Sequence, residues 1–190
     1  MDYSKEMREL FLIQQIFGTL FSVTNKIQTV GDGRLRPLSV RQLMIMISII
    51  HLPEEETTLK NIAKMMETSK QNTNKLVSGL KSKGYLEIRP SKTDKREINI
   101  SITNTGKQLA LECTEKSLAL FAEVFKDFSE GELELLWKLL KKLYCFDGEI
   151  HDKFEEEAVL DAEENTKEWQ EKAFMSFVAL RNKNRNPEND

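Results

Sequence analysis

Apolar residues recur at intervals of three and four along the opening of the chain: Met7, Leu10, Phe11, Phe17, Leu20, Phe21 and Ile27. That spacing predicts a helix from roughly Tyr3 to Thr29, broken by the Gly and Pro of "GDGRLRP" (Gly31 to Pro37). Ser39 and Gln42 then fit a capping box. The helix they start, to about His51, is apolar nearly all round, as a central buried helix is. Pro53 stops it. Leu59, Ile62, Ala63 and Met66 next share one face of a short helix that Thr57 or Thr58 can cap. After "ETS", Ser69 caps a second short helix, striped by Leu76, Val77 and Leu80 and ended by Gly84. Two short helices in close succession, each with one buried face, have the profile of a helix-turn-helix.

The period then changes from 3.6 to 2. Leu86 and Ile88 alternate with Glu87 and Arg89, and Ile98, Ile100 and Ile102 alternate with Asn99 and Ser101. These read as two half-buried antiparallel strands joined by "PSKTDKRE". A long helix should begin near Thr103, with Leu109, Cys113, Phe121, Val124, Phe125 and Phe128 inward. Ser129 and Glu132 form a second capping box ahead of the Leu-dense "LELLWKLLKKLYCF". That one-sided stripe must bury itself on something, so the ends of the chain should pair with each other or with a second subunit. Trp169, Ala173, Phe177 and Leu180 mark one more helix, and the final residues read as disordered. The pattern predicts a mainly α chain (α+β). It divides into an N-terminal helix and linker (1–38), a helix-turn-helix with its strand pair (39–107), C-terminal helices (108–160), an extra helix (161–182) and a disordered tail (183–190).

Charge changes this picture. The net charge of -3 hides a segregation of sign: Thr57 to Lys107 holds eleven Lys and Arg against four Asp and Glu, and Ser129 to Glu171 holds five against fourteen. One part is built to meet a polyanion and another is not. The basic part includes the second helix of the pair. Its face opposite Leu76 and Leu80 carries Gln71, Asn74, Lys75 and Ser78, flanked by Ser69, Lys70 and Lys81, and no acid occurs from Ser69 to Leu86. A merely solvated helix mixes signs. In a helix-turn-helix the second helix enters the major groove. There Gln and Asn can bond adenine, Lys can reach guanine or phosphate, and Ser can reach phosphate. Lys92, Lys95 and Arg96 sit on the hairpin tip beyond that helix, where an arginine can enter a narrow minor groove. Asp94, at odds with phosphate, suits a structural role: it can accept from the loop backbone or fix the Arg96 guanidinium.

The stretch "TTLKNIAKMMETSKQNTNKLVSGLKSKGYLEIRPSKTDKREINISITNTG" resembles the core of the MarR family of winged-helix transcriptional regulators. Asp94-Lys95-Arg96 followed by Ile102-Thr103 and Gly106 matches the family's Asp-x-Arg and Leu-Thr-x-x-Gly pattern, with Ile102 a mild departure. The resemblance implies a winged helix-turn-helix whose N- and C-terminal helices form a dimerisation lobe. It implies a homodimer on a pseudo-palindromic operator in double-stranded DNA, with Arg96 in the minor groove. By family habit it also implies a repressor, relieved in many members by a small aromatic or anionic effector.

Other classes fit less well. His51 and His151 stand far apart and outside any metal-ligand pattern, "GDG" lacks the context of a phosphate loop, and no catalytic set or resident cofactor is expected. A winged-helix module that binds protein instead of DNA is the alternative. It predicts acids or apolar residues on the second helix's outer face. Two cysteines, Cys113 and Cys145, make no disulfide framework, which points to the cytoplasm, and both suit buried, inert thiols. Lys141 and Lys142 keep redox sensing open at Cys145. "LMIMISII" is too short to span a bilayer, which needs about 20 apolar residues, and Met1 to Glu6 is too charged to open a cleavable signal. Phe17, Leu20, Phe21 and Met44 could line a pocket but read more readily as core.

Overall fold

A computed structural model describes residues 4–90, 98–148 and 166–185, with side chains of the last span from Glu171 onward. Seven α-helices, a 3-10 turn at Glu54–Glu56 and one antiparallel strand pair are described: α1 Ser4–Arg34, α2 Val40–His51, α3 Leu59–Met65, α4 Lys70–Ser82, β1 Leu86–Pro90, β2 Ile98–Ile102, α5 Asn104–Val124, α6 Glu130–Tyr144 and α7 Thr166–Arg185. The mainly helical architecture with one small antiparallel sheet is the expected one.

The first helix runs through the glycines that were expected to break it. Gly31 is buried, and a Cβ there would collide with Val40 Cγ2, so glycine permits the close approach of α1 to α2. Tertiary bonds hold the last turn helical despite the low propensity of glycine. Asp32 Oδ1 accepts from Val40 N at 2.7 Å, and Arg34 pairs with Glu123 of α5 at 2.7 Å. Pro37 follows as a connector to Ser39, which caps α2 in the expected reciprocal box with Gln42.

The core gathers around α2. Ile45, Met46, Ile62, Val77, Leu80 and Ile100 are almost wholly buried, joined by Leu35 and Leu38 of the connector and by Cys113 of α5. Each such aliphatic side chain contributes roughly 1.5–3 kcal/mol by leaving water. In the hairpin, Leu86 pairs with Ile102 and Ile88 with Ile100. Ile98 was expected to point inward as the third isoleucine, but it is exposed because its partner Pro90 lies beyond the edge of the core.

Two further expectations shift in detail. The inward phase of α5 runs through Leu109, Cys113, Ser117 and Leu120, which puts Phe121 on the shoulder of the helix, 44% exposed. The last helix reaches Arg185, past the expected boundary at 182, so the tail's first residues, 183–185, are helical and 186–190 lie outside the described residues. α7 packs along α5. Ala173 is buried there, and Arg181 and Arg185 donate to the carbonyls of Phe128 and Lys126 at 2.9 Å, satisfying acceptors left open where α5 ends. No described helix is long and apolar enough to cross a membrane.

Candidate nucleic-acid interface

The helix pair is set by its caps. Thr58 Oγ1 accepts from Asn61 N, and Ser69 Oγ accepts from Asn72 N at 3.2 Å. Between α3 and α4 the chain turns sharply at Glu67, whose φ of 45° lies in the left-handed region. Thr73, wholly buried, locks the first turn of α4 by donating to Ser69 O at 3.2 Å, and Asn72 donates to Thr68 Oγ1 at 3.1 Å. The apolar stripe did not reveal Thr73, because a hydroxyl paired inside its own helix looks polar in a sequence.

With Val77 and Leu80 buried, the opposite face of α4 is turned outward. Ser69, Lys70, Gln71, Asn74, Lys75, Ser78 and Lys81 are all exposed. The first turn holds no acid, and among the described residues Lys70, Lys75 and Lys81 have no carboxylate partner. The positive end of the helix dipole adds to their field at the N-terminus. Ser69 spends its acceptor on the cap and keeps its hydroxyl proton for donation. The wing residues Lys92, Asp94, Lys95 and Arg96 lie outside the described residues.

What the structure does show is how the base of the hairpin is fixed beside α4. Thr103 caps α5 by accepting from Gly106 N at 3.0 Å, and its hydroxyl donates to Gly84 O at 2.7 Å, just past α4. Its N–H donates to Tyr85 O at 3.1 Å. A Cβ on Gly106 would strike that same carbonyl. Thr103 and Gly106 thus clamp the exit of α4 to the start of α5, with the hairpin between them. On the other side, Ile100 N donates to Thr57 O at 3.0 Å and Asn99 Nδ2 to Glu54 O at 2.7 Å, pinning β2 to the segment that precedes α3. These long-range bonds left no signal in the sequence pattern. Arg89, at the end of β1, pairs with Glu87 on the sheet at 2.6 Å.

This arrangement agrees with an independent match. Residues 37–97 fit the model of the MarR family. Over those residues the chain is similar to the MarR family. Solved structures share the fold at low identity. A mutant MarR from E. coli in complex with operator DNA has TM-score 0.61 and 23% identity over 69% of this chain and 94% of that one. BldR, a transcriptional regulator from Sulfolobus solfataricus, has TM-score 0.59 and 25% identity over 74% and 98%. The organohalide-sensing transcriptional regulator RdhR, bound to 2,4-dichlorophenol, has TM-score 0.63 and 18% identity over 70% and 79%. The Thr103–Gly106 clamp lies just beyond the matched span.

Behind the helix pair the structure opens a cavity of about 860 Å³. Phe17, Leu20 and Phe21 of α1 line one side, Met44, Met65, Met66 and Glu67 the floor, and Trp137, Leu140, Leu143 and Tyr144 of α6 the other side. The preference for core at Phe17 and Phe21 is therefore overturned: they are 65% and 62% exposed. α6 stands off from the helix pair, and no described helix fills the gap. Cys113 is buried, with its thiol 3.4 Å from Leu35 O, and burial raises its pKa, so it stays protonated at neutral pH. Cys145 is half-buried at the end of α6.

Proposed function

We propose that this protein is a sequence-specific transcriptional regulator that binds a pseudo-palindromic operator in double-stranded DNA as a homodimer, acts as a repressor, and is released by a small ligand. The acid-free outer face of α4 carries the reading: the exposed side chains on it are the donors and cations that suit base edges and phosphate. Arg96 and the lysines of the wing tip, Lys92 and Lys95, complete the contact in this proposal, with Asp94 steadying the loop.

Two observations support the rest. Away from the cavity, α1 exposes Met7, Leu10, Phe11 and Ile13, and α6 exposes Leu135 and Leu139. Apolar surface on this scale marks an interface, and a second copy would cover it. The cavity beside α6 supports ligand release, and RdhR, which shares the fold, was solved with 2,4-dichlorophenol bound.

A filter-binding salt titration tests the central claim. Log affinity for promoter DNA should fall linearly with log salt, by about 0.9 for each phosphate contact. Weak binding that ignores salt would sink the regulator reading.

A further inference from the structure

We propose that the cavity between α1, α3 and α6 selects a lipophilic cation, with Glu67 as its charged anchor. The inference rests on the ligand-release reading and gives that ligand a chemical class, in place of the anionic one.

The walls are aromatic. Phe17 and Phe21 face the cavity from α1 with ring centroids 5.1 Å apart, and Trp137 and Tyr144 face it from α6. Aromatic faces attract cations through their quadrupoles. The charged groups on the lining are Glu67, Asp147 and Lys141, so carboxylates outnumber ammonium groups. An apolar anion would lie against that excess negative charge, where like charges repel. A cation gains from both the rings and the carboxylates. Met44, Met65 and Met66 make a deformable floor that suits bulky apolar groups of varied shape.

Glu67 also links the cavity to DNA binding. It occupies the sharp turn between α3 and α4, two residues ahead of the cap at Ser69. Its Oε1 accepts from Tyr144 Oη at 2.8 Å, tying α6 to that turn. A cation drawn to this carboxylate competes with the tie and so acts on the turn that aims α4.

Calorimetric titration of the full chain with tetraphenylphosphonium and tetraphenylborate, ions of the same shape and opposite charge, tests the proposal. The phosphonium should bind about ten-fold more tightly than the borate. Glu67→Gln, which keeps an oxygen for Tyr144 and loses the charge, should weaken phosphonium binding by about ten-fold and leave borate binding equal or stronger. Asp147→Asn is the second arm if the first variant does not fold. No binding of the phosphonium, equal affinity for both ions, tighter borate binding, or unchanged phosphonium affinity in a folded charge variant each overturns the inference. Operator binding measured on the same protein without either ion separates the two claims. DNA binding without cation preference sinks this inference alone. Cation preference without DNA binding sinks the regulator reading and leaves the site.

Discussion

Gly106 and Thr103 show how two residues can fix a whole hairpin. Thr103 bonds forward to Gly106 and back to Gly84, and Gly106 leaves room for the Tyr85 carbonyl. Gly106→Ala should therefore cost stability, by roughly 1–3 kcal/mol, because backbone on one side and Ile102 on the other cannot yield easily. Urea denaturation checks this, and a stability equal to wild type would contradict the clamp. The opposite signature belongs to Arg96. On the proposed reading, Arg96→Ala should weaken operator affinity by about 1–3 kcal/mol with an unchanged melting temperature. A filter-binding isotherm of that variant matching wild type would remove Arg96 from the interface. The resemblance to the MarR family named Thr103 and Gly106 as a signature, but their reason is a contact with residues about twenty positions earlier, which periodicity cannot register.

Caps were the most legible feature at the scale of the helix. Ser39, Ser69 and Ser129 all stand where local chemistry put them, because a cap bond spans three residues and needs no tertiary partner. The box at α6 carries a pH prediction. Glu132 receives hydrogen bonds from Ser129 Oγ at 2.7 Å and Ser129 N at 2.8 Å, and these hold its carboxyl below the ordinary value. Its stabilising contribution is complete above the unfolded carboxylate pKa and fades as pH falls through the lower folded value. Amide exchange over the first turn of α6 should quicken across that acidic window, and Glu132→Gln should flatten the response. An exchange profile indifferent to pH after correction for intrinsic rates would refute it. Helix ends were less legible where glycine was involved. The break expected at Gly31 failed because Val40 needs that space and the bonds of Asp32 and Arg34 outweigh the propensity cost.

At the scale of the whole molecule, the winged core and the outer helices differ in kind. The core buries its stripes within one chain. α6 has no buried residue, and α1 has only Gly31. Sedimentation equilibrium should give a dimer at micromolar concentration, and Leu139→Lys, placing charge on the exposed stripe of α6, should shift it toward monomer. A wild-type monomer at those concentrations would contradict the homodimer. The thiols follow the same division. Cys113 sits inside the core with its pKa raised by burial, so it should react with an alkylating reagent far more slowly in the folded chain than in urea.

The sequence by itself determined the helix-turn-helix, the strand pair, the caps and the acid-free face of α4, because each depends on spacing within a few residues or on composition along one face. Tertiary structure alone decided that Phe17 and Phe21 of α1 line a cavity and are not core. It also decided where β2 is pinned, why glycine stands at positions 31 and 106, and that Glu67 meets Tyr144. The physical reason is range: periodicity reports that a face is apolar, and only the packed chain shows whether anything covers it.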